Sequence, residues 1–244
     1  MAISSPPRRG GQAVAPHRQR GLITALVVAV IAVLVLAAVV VALLARGRLT
    51  GSGVQGSGVA ATQSRALATF GSLDLAGSNN VTVAVGGRQS VVVHADSNLL
   101  RYVTTRVVSG TLVIGTTGSF TTKSPMSVEV SVPSLAAVTL SGSGQIAVTG
   151  IDAPRLTVTL PGSGALYASG TVTRLDVTLG GSGLAQLDNL AARDVHAVVA
   201  GSGLIRVTAT ADLNAAVTGS GAIVYSGNPQ VTSSVTGSGA VTHG

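Results

Sequence analysis

The sequence predicts an all-β fold, a parallel β-helix wound in rungs of about 19 residues and preceded by a single transmembrane α-helix. Three observations carry this reading. The tripeptide Gly-Ser-Gly recurs with its central serine at Ser143, Ser163, Ser182, Ser202, Ser220 and Ser238, in steps of 20, 19, 20, 18 and 18 residues, and a near-fixed period of that length marks a solenoid. Apolar residues alternate strictly on both sides of each tripeptide, as in strands with one buried face. Near the N-terminus an uncharged apolar run is long enough to cross a bilayer.

That run, from Leu22 to Ala45, has 24 residues and Thr24 as its one polar side chain. At about 1.5 Å per residue it makes a helix of roughly 36 Å, against a hydrocarbon core of about 30 Å. A soluble helix apolar on every face needs a large protein around it. A cleaved secretory signal, the rival reading, has an apolar region of only about 7 to 15 residues. Arg8, Arg9, His17, Arg18 and Arg20 precede the run, whereas only Arg46 and Arg48 follow it before uncharged Gly and Ser. The tail is therefore expected on the cytoplasmic side of a cell membrane crossed once, with everything after Arg48 outside. The expected domains are a disordered basic cytoplasmic tail (1–21), too poor in apolar residues to offset its chain entropy; the transmembrane helix (22–45), whose partner is the lipid bilayer; a flexible Gly/Ser-rich linker (46–63); and the β-domain (64–244).

Within the repeat, positions seven, five and three before a serine carry sets such as Leu156, Val158 and Leu160, and positions three and five after it carry pairs such as Ile146 and Val148. Each rung is thus two strands joined at a Gly-Ser-Gly corner. A period of two with β-branched residues excludes helical repeats, and the L-x-x-L-x-L-x-x-N frame of leucine-rich repeats is absent. Rungs stack about 4.8 Å apart, so the corners form a ladder. There Gly permits positive φ or close backbone approach, and the serine hydroxyls are expected to bond corner backbone or one another. Six copies of a serine argue for structure rather than for one nucleophile. Residues 64–135 alternate less regularly. Leu73, Leu75, a Gly77-Ser78-Asn79 turn and Val81, Val83 and Val85 read as a degenerate rung, with further strands at Val91–Ala95, Leu112–Ile114 and Met126–Val132, the last stopped by Pro133. This half is either an irregular start to the helix or its cap.

Only 9% of residues are charged and 2% aromatic, and there is no cysteine, which excludes a core on aromatic anchors, disulfide scaffolds, thiolate metal sites and cysteine nucleophiles. The net charge of +7 is no signal for nucleic acid: six arginines flank the apolar run, and residues 49–244 carry nine basic and eight acidic side chains. No cofactor or metal is expected. The position eight before each serine forms a column of Leu135, Arg155, Arg174, Asp194, Asp212 and Gln230. Arg155, Arg174, Asp194 and Asp212 are the candidate surface-binding column, in which Arg174 can pair with Asp194 and the two Asp can share a hard cation. The plain alternative is a solvated corner with a surface ion pair worth about 0 to 1 kcal/mol. Asp176 and Asp194 are the carboxylates to weigh for glycoside hydrolysis, which needs two of them about 5 to 9.5 Å apart. Three Tyr and two Phe offer little surface for sugar stacking, so no catalytic residue is assigned and the protein is not expected to be an enzyme. His94, His196 and His243 are isolated and expected at the surface. The last rung, with no charged or helical cap after Val241, exposes a cross-section of core, which makes a homo-oligomer through that rung an expected partner.

The order Arg65, Phe70, Leu73-Asp74-Leu75, Asn98-Leu99-Leu100, Gly110-Thr111-Leu112-Val113-Ile114, Val132-Pro133-Ser134-Leu135 and then the Gly-Ser-Gly ladder resembles the putative autotransporter adhesin, head GIN domain family, from about Gly58 to the C-terminus. The resemblance implies a bacterial envelope protein folded as a right-handed β-helix. With the apolar run, it implies a membrane-anchored extracytoplasmic solenoid that acts as an adhesion or surface-binding module. The outward face of Thr139, Thr159 and Thr178 would meet a cell-surface or polysaccharide ligand. The alternative is an envelope accessory or sensor protein that signals through the tail, and a polysaccharide-active enzyme ranks last.

Overall fold

The computed structural model describes residues 53–244. The expected tail (1–21) and transmembrane segment (22–45) lie outside the described residues, among which no helix is long and apolar enough to cross a membrane. The described chain is all-β. Its first half holds β1 (Val54–Gln55), β2 (Ala60–Ser64), β3 (Ser72–Leu75), β4 (Asn80–Val85), β5 (Ser90–Asp96), β6 (Val103–Val108), β7 (Thr111–Thr116), β8 (Phe120–Thr121) and β9 (Ser127–Val132). The regular half holds β10 (Ala137–Leu140), β11 (Gln145–Leu160), β12 (Ala165–Leu179), β13 (Leu184–Val199), β14 (Leu204–Gly219), β15 (Ala222–Ser226), β16 (Gln230–Gly237) and β17 (Ala240–His243).

The regular half is a β-solenoid of about five turns. Strands β11 to β14 each run between consecutive Gly-Ser-Gly corners, burying alternate residues: in β11, Ile146, Val148, Leu156, Val158 and Leu160 are buried. The rungs pair in parallel, with Leu156 on Leu175, Leu175 on Val195 and Val195 on Leu213, so this inward column runs unbroken through the stack. Rung length varies, yet the corners stay aligned. The pairing slips only at Val148/Ile151, Tyr167/Gly170, Leu187/Ala191 and Ala192/Asp194, all at the bend between the two strand segments of a rung. Surplus residues bulge out there, which leaves the Gly-Ser-Gly corner and the charged column in register.

The first half is both a start and a cap. Strand β3 lies between β10 and β7, and β4 between β11 and β9: Leu73 pairs with Val138 and Leu112, and Val81 with Ile146 and Val128. The Ser72–Val85 rung is therefore covered by residues 137–149 on one side and by residues 111–132 on the other, out of chain order. Antiparallel strands then end the winding, β6 on β7, β5 on β9 and β2 on β5. The strands expected around Val91, Leu112 and Val128 are β5, β7 and β9.

The linker expected over 46–63 is corrected from Gly53 onward, because this segment is paired into the fold. Strand β1 runs parallel to β8, and β2 runs antiparallel to β5. Between them Gly56-Ser57-Gly58 is gripped by Asp96-Ser97-Asn98. Asp96 is fully buried; its Oδ1 accepts from the Gly58 N–H at 2.8 Å and the Ser124 hydroxyl at 2.9 Å, and its Oδ2 accepts from the Lys123 N–H at 2.8 Å and the Ser124 N–H at 3.3 Å. The Lys123 N–H, with help from Ser124 and Gly58, holds the Asp96 carboxyl below the ordinary aspartate range against the opposing effect of burial. The Ser57 N–H donates to Asn98 Oδ1 at 2.9 Å, and Asn98 Nδ2 donates to the Gln55 carbonyl at 2.8 Å. A Cβ on Gly56 would collide with the Asp96 carboxylate. Gly56 serves close approach and Gly58 a positive φ of 75°, neither of them flexibility.

Candidate functional site

The Gly-Ser-Gly corners are built by their glycines. Backbone bonds tie each corner to the one before it: the Gly181 N–H donates to the Leu160 carbonyl and the Ser202 N–H to the Gly181 carbonyl. A Cβ on Gly183 would stand 2.6 Å from the Gly164 carbonyl oxygen, and one on Gly219 would stand 2.7 Å from that of Gly201. Gly183 has no positive φ, so what it supplies is space for the preceding rung. The role expected for the serines is corrected. All six central serines are exposed, and among the described residues none of their hydroxyls is hydrogen-bonded; the engaged corner hydroxyl is that of Ser141, which donates to Asp74 at 2.9 Å. The side chain of the residue between the two glycines points to solvent, so the corner leaves it free.

One turn of backbone away, the charged column is in register: Arg155 pairs with Arg174, Arg174 with Asp194, Asp194 with Asp212 and Asp212 with Gln230. Beside it runs a second outward column, Thr157, Asp176, His196, Asn214 and Thr232. The expected pairing of Arg174 with Asp194 is not the one that forms. Asp176 takes both arginines instead, Arg155 at 2.8 Å and Arg174 at 3.5 Å. Stacked like charges repel across a ladder, and a carboxylate offset into the next column neutralises the two guanidinium groups together. The arginines are 61% and 57% exposed against 17% for Asp176, so the cluster contributes at most about 1 kcal/mol.

This leaves Asp194 and Asp212 without either column arginine; Asp194 has only Arg193 at 4.0 Å. Between the two columns lies a groove of about 340 Å³, lined at one end by Arg174 and along its length by Asp194, His196, Asp212, Asn214 and Gln230. His196 thus belongs to the site, which sequence reasoning missed; its place six before Ser202 puts it in the column of Asp176. Among the described residues no group of three or more acidic or histidine side chains is placed to hold a metal ion. Asp176, one of the two carboxylates weighed for hydrolysis, is engaged by guanidinium groups. His94 lies 3.4 Å from Glu129, and the ring of His243 contacts the Gly227 carbonyl at 3.0 Å, both away from the groove.

A parallel β-solenoid with a charged, polar groove on one sheet face belongs to the class of repeat proteins that present an extended periodic surface. Within that class the chain belongs to the putative auto-transporter adhesin, head GIN domain family, which it matches over residues 69–229. Solved structures share the fold. A putative adhesin from Bacteroides fragilis is 21% identical, with a TM-score of 0.67 over 78% of this chain and 100% of its own. A putative adhesin from Parabacteroides distasonis is 22% identical, with a TM-score of 0.51 over 78% and 99%. A putative lipid binding protein from the same species is 23% identical, with a TM-score of 0.50 over 78% and 99%. At such identities the likeness is one of fold alone. No curated protein matches the chain. The family and these neighbours are described by adhesion or binding, not by a catalytic activity.

Proposed function

We propose that the protein is an adhesion module of the bacterial cell surface, carried outside the membrane by residues 22–45 with the tail of residues 1–21 inside, and that it binds polysaccharide along the groove between the two polar columns. The observation that carries this reading is the groove, where Asp194 and Asp212 stack in one column with His196 beside them, neither carboxylate is paired with Arg155 or Arg174, and the two face solvent at the rung spacing. Carboxylates spaced along a ladder suit a polymer whose hydroxyl and amino groups recur at short intervals. The right-handed winding implied by the family belongs to the same proposal.

The test is affinity electrophoresis of the full-length protein, held in zwitterionic detergent, through native gels containing chitosan or hyaluronan. Chitosan is expected to retard it and hyaluronan is not, and Asp194→Asn with Asp212→Asn is expected to abolish the retardation. Equal mobility in plain and chitosan gels would overturn the polysaccharide reading. A C-terminal tag that antibody cannot reach on sealed cells would overturn the topology.

The final rung carries a second proposed contact, end to end with another copy. Strand β16 is exposed along its whole length, with Val231 40% and Val235 44% exposed in columns that are buried in every regular rung before them. A β-edge with apolar residues of this kind pairs with a like edge.

A further inference from the structure

The corner that closes the Ser72–Val85 rung takes four residues, Ala76 to Asn79, as the corners at Ser143, Ser163, Ser182 and Ser202 do. The rung stacked outside it takes ten, Thr117 to Met126, to pass from β7 to β9. This longer loop stands away from the corner and leaves a cavity of about 530 Å³ between them. The volume falls in the range of about 300 to 1,000 Å³ that small-molecule sites occupy. Strand β8 pairs the loop to β1, so its outer wall is fixed by a ladder.

The lining is uncharged throughout. Ser78 and Asn79 form one side, and Ser119, Phe120, Thr122 and Met126 the other. Asn79 is 5% exposed, yet its Nδ2 has no hydrogen-bond partner. Buried amides in folded proteins almost always find one, and this NH₂ offers two donors. Phe120 is not loose: its ring packs on Tyr102 with centroids 5.7 Å apart, and the Arg101 guanidinium sits 5.1 Å from the Tyr102 ring centre.

An apolar ring face, a thioether and the four hydroxyls of Ser78, Thr116, Ser119 and Thr122 define the ligand by exclusion. A charged ligand would be desolvated with nothing to neutralise it. A purely apolar one would leave the hydroxyls unpaired. A pyranose ring has both halves, a C–H face that packs against the negative face of an aromatic ring and a rim of oxygens. We propose that this cavity is a second binding site, for an uncharged sugar ring, with its C–H face on Phe120 and its rim of oxygens on the hydroxyls of Ser78, Ser119 and Thr122, beside Asn79. The site shares no residue with the Arg/Asp groove and does not depend on it. It also revises the expectation that the chain lacks a stacking surface, since the loop brings Phe120 and Tyr102 together.

The test is NMR on the full-length protein in a zwitterionic detergent, since maltoside detergents carry the chemistry under study. Glucose, galactose and N-acetylglucosamine are titrated to about 50 mM, with glucuronate as the charged control. At least one neutral sugar is expected to receive saturation transfer on its ring C–H protons and to shift the Asn79 side-chain amide, while glucuronate does neither. Phe120→Ser is expected to weaken binding about tenfold or more, with Phe120→Tyr close to the parent. Thr122→Trp, placed at the exposed rim, is expected to block the cavity with the core untouched, and stands in should Phe120→Ser fail to fold. The proposal is overturned if no neutral sugar shifts Asn79, if binding survives Thr122→Trp, or if the shifts fall on His196, which would assign the sugar to the groove instead.

Discussion

Ser182 and Gly183 are neighbours at one corner, and substituting each by Ala separates the two things a Gly-Ser-Gly ladder can be for. At Ser182 the side chain is exposed and its hydroxyl makes no hydrogen bond, so Ser182→Ala removes no contact; changes of this kind stay within about 0.5 kcal/mol. At Gly183 the added Cβ lands 2.6 Å from the Gly164 carbonyl oxygen and 3.4 Å from that of Gly162. Ordinary contact begins near 3.4 Å, so the carbonyl of the neighbouring rung must retreat by about 0.8 Å, at an overpacking cost of about 1 to 3 kcal/mol. The displacement also loosens the bond from the Leu184 N–H to the Gly164 carbonyl, now 3.0 Å. For a domain of this size each kcal/mol moves Tm by roughly 2 to 4 °C, which gives Gly183→Ala a drop of about 2 to 12 °C and Ser182→Ala less than about 2 °C. Calorimetry on the two variants and the parent measures the difference. Equal losses, or a larger loss for Ser182→Ala, would refute the argument that the carbonyl approach, and not the hydroxyl, selects this tripeptide.

Three further outcomes are expected. Because the folded-state carboxyl of Asp96 lies below its unfolded value, its contribution to stability is present above the ordinary aspartate range and is lost as pH falls through the folded value; the protection of the Gly58 and Lys123 amides, taken relative to their intrinsic exchange rate at each pH, should fall in that acid window, and Asp96→Asn should lower it at every pH. Replacing Asp176 by Ala leaves Arg155 and Arg174 facing each other, yet at their exposure the loss should not exceed about 1 kcal/mol and should shrink in high salt, as chemical unfolding with and without salt would reveal. End-to-end association should give a concentration-dependent rise in sedimentation coefficient that Val235→Lys reduces; a single unchanging species for the parent would exclude it.

The repeat was legible because each rung meets the same environment. Ile146 and Leu156 announce their burial through spacing alone, and the corner tripeptide marks where the chain turns. The charged column followed by arithmetic, since the surplus residues are absorbed at the other bend. Its ion pairs did not follow, because Arg155 reaches diagonally to Asp176 rather than along the column. The stacking order of the first half was not readable either. Leu73 alternates with polar neighbours in the same way whether its rung is covered by residues 137–149, by residues 111–132 or by both, and only the tertiary pairing decides. Gly56-Ser57-Gly58 looks like spacer or corner by composition, and its actual partner, Asp96, lies about forty residues along the chain with no periodic relation to it. The cavity escaped notice for a similar reason, since Asn79 occupies a corner position and Phe120 a loop that no repeat describes.

The order in which rungs are covered gives the molecule a direction of growth. The face beyond β7 and β9 is sealed by reversed strands, whereas each rung from Ser163 to Ser220 meets only the one before and the one after it. A whole rung added or removed there would change the reach of the solenoid and the number of steps in its polar columns without disturbing the Asp96 clamp or the cavity beside Phe120. Length is thus the one property of this fold that can drift by duplication while everything at the sealed end is inherited intact, and relatives are expected to differ in how many rungs they carry rather than in how they begin.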